Sequence, residues 1–171
     1  QAVEAVRSLR RHLTPADSLE VITFSDDANR VYDSGSAPPD FSVLGEALSA
    51  VRPGGSTDIR NALKLAADRE VPAGRDGLVL VVSDLRTKPF DPLATAEAFK
   101  ARKLSLAVVA IASAGQAAPA EAPPLEALAK LLKAPIVAGQ EDLSGLAKVF
   151  ANLLRRTRGD ALCRGSLPAA V

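Results

Sequence analysis

Apolar and polar positions alternate along this chain in two periods, and the period changes several times. Val3, Val6, Leu9 and Leu13 recur at helical spacing with Arg7, Arg10 and Arg11 between them, so the opening reads as an amphipathic helix ended at Thr14-Pro15. "SLEVITFS" (Ser18–Ser25) is rich in β-branched and aromatic residues and reads as a strand, and "NRVYDS" is a shorter, more polar edge strand. After the loop "GSAPPD", "FSVLGEALSAV" (Phe41–Val51) suits a short helix. "TDIRNALKLAADRE" predicts another helix, with Ile59, Leu63 and Ala66 on one stripe, broken by "VPAGRDG".

The second half has a different texture. "LVLVVSDL" (Leu78–Leu85) and "LSLAVVAIA" (Leu104–Ala112) are almost wholly apolar, as expected of strands covered on both faces. Between them "DPLATAEAFKARK" predicts a helix with Asp91 as N-cap and Pro92 in its first position. "SAGQAAPAEAPP" reads as a Pro/Ala-rich loop, "LEALAKLL" as a helix and "APIVAG" as a short strand. "DLSGLAKVFANLLRR" (Asp142–Arg156) predicts a last helix, and the aperiodic residues from Thr157 a tail. Strands alternating with helices predict an α/β fold. It is a Rossmann-like three-layer sandwich with a mostly parallel central sheet and helices on both faces.

Composition narrows the function classes. The 171 residues, 47% hydrophobic, suit one domain with its own core. Twenty-one basic against 20 acidic residues leave a net charge of +1, which gives no general attraction to nucleic acid or to an anionic membrane. No apolar run reaches the roughly 20 residues of a membrane helix, so no membrane insertion is expected of this segment. One cysteine, Cys163, excludes an intrachain disulfide framework. One histidine, His12, leaves no histidine-rich metal site, and no glycine-rich phosphate loop is present. With no methionine and a helical beginning, the chain is expected to be a piece of a longer protein.

In open α/β sheets, ligands bind beyond the carboxyl ends of the strands. Asp84 closes "LVLVVSD", Thr57 sits in a loop entering a helix, and Asp26 follows the first strand, so all three are expected on one rim. Thr57 and Asp84 are hard oxygen donors suited to Mg²⁺, Mn²⁺ or Ca²⁺, with Ser56 and Asp58 as supporting groups. Ser, Thr and Asp are also the preferred N-caps, so residue types alone leave the cap reading open. Asp26 and Asp27 form a carboxylate pair of the kind that does general acid/base work, but they read first as a solvated turn. "TRGD" (Thr157–Asp160) is only a three-residue match to an adhesive tripeptide and reads first as an ordinary helix end.

The order of these pieces resembles a von Willebrand factor type A domain. The resemblance rests on "LTPADSLEVITFSDDANRVY", "VRPGGSTDIRNALKLA", "LVLVVSDLRT" and "LEALAKLLKAPIVAGQEDLSGLAKVFANLL". It implies a domain over residues 1–156, incomplete at its N-terminus, followed by a C-terminal tail or linker over 157–171. It looks closest to bacterial members within larger, often membrane-attached proteins. The resemblance further implies a metal-ion-dependent adhesion site, with Thr57 and Asp84 as metal residues and Ser56, Asp58 and Asp26 around them. Two departures follow. The family's Asp-x-Ser-x-Ser loop and first strand have no counterpart here, and Leu85 stands where a glycine commonly follows the second Asp. Without the first strand, "LEVITF" and "LVLVVS" are each expected to lose a neighbour or to pair in a non-family arrangement, and the chain alone is expected to be unstable or to bind metal only weakly.

The function implied is a non-enzymatic protein-interaction module, binding an acidic side chain of another protein through a divalent cation. The alternatives are a structural scaffold of the same fold with a degenerate metal site, and a Rossmann-like enzyme subdomain acting at the same rim. The enzyme reading lacks an evident nucleophile–base pair.

Overall fold

A computed structural model of the chain describes residues 6–7, 9–52, 58–83, 85, 87–111, 123–139 and 152. Within these, a 3₁₀ turn at Leu9–Arg11 is followed by β1 (Glu20–Phe24), β2 (Ala28–Asp33), α1 (Phe41–Ala50) and α2 (Arg60–Asp68). Then come β3 (Gly77–Ser83), α3 (Pro92–Ala101), β4 (Leu104–Ile111), α4 (Pro123–Leu132) and β5 (Ile136–Gly139). The expected last helix and the tail lie outside the described residues, apart from Asn152, which is helical.

The strands form two sheets. β3, β4 and β5 pair in parallel, in that order, with Gly77 opposite Leu104 and Val108 opposite Ile136. β1 and β2 form an antiparallel hairpin with a bulge that leaves Val31 without an opposite residue. Parallel pairing with a helix between successive strands is the α/β arrangement expected from the sequence. Among the described residues, β1 and β3 do not pair.

Local chemistry accounts for the element boundaries. Asp91 caps α3 as expected, its Oδ1 accepting from the amides of Leu93 (2.9 Å) and Ala94 (3.4 Å), with Pro92 at the first position. Asp40 does the same for α1, accepting from Ser42 (2.8 Å) and Val43 (3.3 Å). The Asp40 amide in turn donates to Tyr32 Oη at 2.6 Å, which fastens the start of α1 to β2. α2 begins at Arg60, later than its apolar period suggests, because Asp58 and Ile59 are spent on contacts to other segments.

Three apolar clusters hold these elements. The largest joins Ile59, Leu63 and Ala67 of the α2 segment to Phe99 of α3, Leu125 and Leu128 of α4, and Val81, Leu106 and Val108 of the parallel sheet. Ile22 and Phe24 of β1 pack against it. A second cluster covers the opposite face, where Leu9 meets Ala107 and Val109, with Val6, Leu19, Leu78, Leu80 and Val82 around them. The third sets Tyr32 against Leu44 and Leu48 of α1. The hairpin therefore stands in the same layer as the parallel sheet, bridged to it from both faces by side chains. At the far end of the hairpin, the shielded Glu20 carboxylate holds Arg30 (2.6 Å) and Arg69 (2.7 Å), and Arg69 also reaches Asp33 at 2.9 Å.

Between β1 and β3 runs an open slot of about 980 Å³, lined by both strands and floored by Ile59, Ala62 and Leu63. This is the loss of a neighbour anticipated for "LEVITF" and "LVLVVS". β4, paired with β3 along its length and with β5 from Val108, is buried at Leu104 and from Leu106 to Val109, whereas Leu78, Val79 and Leu80 of β3 are only half-buried.

Candidate functional site

Thr57, Asp84 and Ser56, three of the residues singled out by sequence, lie outside the described residues. Asp26 and Asp58 are described, and the structure brings both to the expected rim. β1 ends at Phe24 and turns through Ser25, Asp26 and Asp27, with the Ser25 amide donating to the Asp27 carbonyl at 2.8 Å. The Asp58 amide donates to the Ser25 carbonyl at 2.8 Å, which fixes the entry to α2 against the end of β1. The Ile59 amide donates to Thr87 Oγ1 at 3.2 Å, which ties the same entry to the segment after β3. Thr87 Oγ1 donates in turn to the Lys88 carbonyl at 3.2 Å. Two backbone amides thus gather three separate loops at the carboxyl ends of β1 and β3.

At their junction lies Asp58, only 2% exposed. A carboxylate so far out of water needs partners. Arg60 supplies them: its Nε donates to Oδ1 at 2.8 Å, its Nη2 donates to Oδ2, and its amide donates to Oδ1 at 3.1 Å. This paired geometry is the strongest that a guanidinium and a carboxylate can make. The side-chain hydrogen bond from Arg60 is the largest influence holding the Asp58 carboxyl down to about 2, against the opposing effect of burial. The same contact raises the Arg60 guanidinium. Lys88 adds a second cation, with Nζ 3.9 Å from Asp58 Oδ2 and 3.6 Å from Asp26 Oδ1. Asp58 is therefore both an anchor for the start of α2 and the centre of an ion network. It does not cap α2 in the ordinary way, since Ile59 occupies the N-cap position without a side-chain bond.

Among the described residues, no group of three or more His, Cys, Asp or Glu side chains is placed to hold a metal ion. Both Asp58 oxygens already receive hydrogen bonds from Arg60, and Lys88 stands close to Asp58 and Asp26. The described residues do not fit a metal by themselves, and any fit rests on the oxygens of Thr57 and Asp84.

Leu85 answers a question raised by the sequence. It adopts a φ of +67°, in the left-handed region that glycine occupies without penalty. Its side chain packs against the main core, so it lies inward and not across the rim. Its amide donates to Ser83 Oγ at 3.2 Å, closing the turn after β3.

No protein-family model and no curated protein matches the chain. Solved structures do match it. A conserved hypothetical protein, BatB, from Bacteroides thetaiotaomicron superposes with a TM-score of 0.72 at 17% identity, over 92% of this chain and 87% of that one. A von Willebrand factor type A structure from Catenulispora acidiphila gives 0.73 at 19% identity, over 92% of this chain and 38% of that one. The chain has a von Willebrand factor type A-like fold. An aerotolerance-related membrane protein from Bacteroides fragilis is also similar, at 0.67 and 16% identity over 91% of this chain and 87% of that one.

Sequence reasoning passed over Arg60, Thr87 and Lys88, which complete the rim. A signal for the first was present, because a carboxylate and a guanidinium two residues apart at a helix entry can close on each other. Nothing local marked Lys88, whose approach to Asp58 spans thirty positions of sequence. Asp27, the other member of the acidic pair, is exposed and serves the turn through its carbonyl.

Proposed function

We propose that the chain is a protein-interaction module that takes an acidic group of another protein at the rim formed by the ends of β1 and β3. The observation that supports it most is the convergence there of Asp26, Asp58, Arg60 and Lys88 in a type A-like fold. A divalent cation, Mg²⁺ or Mn²⁺ or Ca²⁺, is part of this reading and would be held by Thr57 and Asp84, whose hard oxygens suit it. Such an ion would supply positive charge for a carboxylate to meet. The module is read as binding and not as catalytic, because the rim groups described are mutually neutralising ion pairs.

Calorimetry with Mg²⁺ or Mn²⁺ tests the metal part. Weak binding by the native chain that disappears in Thr57→Ala and in Asp84→Asn is the expected result. Metal binding unaffected by either change would place the ion elsewhere and defeat the assignment. A second reading, a scaffold of the same fold with a degenerate metal site, is favoured by one observation: Arg60 already occupies both Asp58 oxygens. No metal binding by the native chain is the outcome that reading expects.

A further inference from the structure

We infer that the slot between β1 and β3 takes up one extended, wholly apolar strand of another polypeptide, which pairs with both edges at once. This site is separate from the rim and does not depend on how the rim binds.

The walls of the slot decide the form of its occupant. Among the described residues, β1 pairs only with β2 and β3 only with β4, so each turns an unpaired backbone edge to the slot, and every residue of both strands lines it. Backbone amides and carbonyls on such edges are satisfied by another strand, whereas a compact apolar ligand leaves them unpaired. The two edges also run the same way. Both strands end at the rim, where the Asp58 amide holds the Ser25 carbonyl at 2.8 Å and the Ile59 amide holds Thr87 Oγ1 at 3.2 Å. One straight strand can therefore lie along both.

Size agrees with a single strand. A strand residue in a packed sheet fills roughly 160 Å³, from its rise, the spacing between strands and the depth of the layer. The slot of about 980 Å³ thus holds about six residues, between the five of β1 and the seven of β3. Six apolar residues carry roughly 900 Å² of accessible surface when extended, close to the ~800 Å² that one partner brings to a stable interface.

The faces of the slot decide its chemistry. Ile59, Ala62 and Leu63 line it on the side of the main core, and Val6 and Leu9 on the opposite side. Successive side chains of a strand point to opposite faces, so both sets would meet apolar surface. The occupant is therefore continuously apolar, as β4 is between its own covering layers, and not alternately polar. Ile22 and Phe24 of β1 and Leu78, Val79 and Leu80 of β3 are only half-buried and stand to gain from its arrival. A second copy of this chain is a poor source. Among the described residues, its long, wholly apolar strands are β3 and β4, which are already paired with each other.

The probe is a fluorescein-labelled peptide of six valines and isoleucines between two pairs of lysines, titrated into the whole chain by anisotropy. Two controls share its lysines: one carries proline at the third apolar position, and the other intersperses the lysines among the apolar residues. Binding of one peptide per chain with Kd on the order of micromolar is expected, and at least about tenfold weaker binding of both controls. Hydrogen exchange should slow on both β1 and β3 when the peptide binds, while β5 stays unchanged. Equal binding of the three peptides would overturn the inference, since it would reflect unspecific apolar attraction. Binding that leaves β1 or β3 exchange unaltered would overturn it too, by placing the peptide elsewhere. So would a failure to bind. In that case, edges already protected in a chain that sediments as a monomer would mean that the chain covers its own slot, and protected edges in a dimer would make a second copy the occupant.

Discussion

At the scale of single residues, two positions carry consequences out of proportion to their size. Leu85 holds a backbone angle that disfavours any side chain, and it is retained in a turn whose amide is tied to Ser83. Leu85→Gly and Leu85→Ala remove nearly the same core contacts, but only glycine is at ease with φ of +67°. Glycine should therefore be the more stable by about 1 kcal/mol in thermal or urea unfolding. An alanine variant of equal or greater stability would show that the angle is not strained. Asp58 is the second position. Its carboxyl lies lower in the folded chain, at about 2, than its ordinary value of 3.8. A group with a depressed folded pKa stabilises the fold above its unfolded value and loses that contribution as pH falls towards the folded one. Asp58 should thus contribute about 2 kcal/mol above roughly pH 4, fading towards pH 2. Urea unfolding of the native chain and of Asp58→Asn across this range is the check: their difference should be constant above the window and shrink within it. A difference that ignores pH there would mean that Arg60 does not favour the charged form.

At the scale of elements, sequence period and capping chemistry account for most of what forms. α1 and α3 start where an aspartate offers its carboxylate to two amides, and the parallel strands lie where the chain is continuously apolar. β3 shows the loss of a neighbour expected for it. Alternate residues of a parallel strand direct both backbone groups to the same neighbour, and β3 has β4 on one side and the slot on the other. Amide hydrogen exchange should therefore alternate along Gly77–Ser83, slow at residues facing β4 and fast at those facing the slot. β4, paired with β5 from Val108 onward, should be protected more evenly there. Uniform protection along β3 would mean that its outer edge is covered in solution.

At the scale of the whole molecule, a hairpin and a three-stranded sheet share one layer and are bridged by Ile22 and Phe24 on one face and by Leu19 and Leu9 on the other. Among the described residues, this arrangement leaves backbone edges unpaired on both sides of an apolar slot, a geometry prone to pairing with other chains. It also decides the site, because the rim exists only where the loops after β1 and β3 are drawn together by Asp58 and Ile59. What could be read without coordinates follows from this division. The helix stripes, the apolar strands, the Asp91 cap and the placing of Asp26 and Asp58 on one rim depend on neighbours a few positions away, and periodicity records them. The sequence by itself determined the order and type of the elements and the α/β class, since local spacing decides which face of each segment is apolar. Only the tertiary structure decided that Leu85 turns inward at a positive φ, that Asp58 is buried, and that Lys88 stands beside it. Those outcomes depend on groups far apart in the chain, whose mutual distance no local pattern encodes.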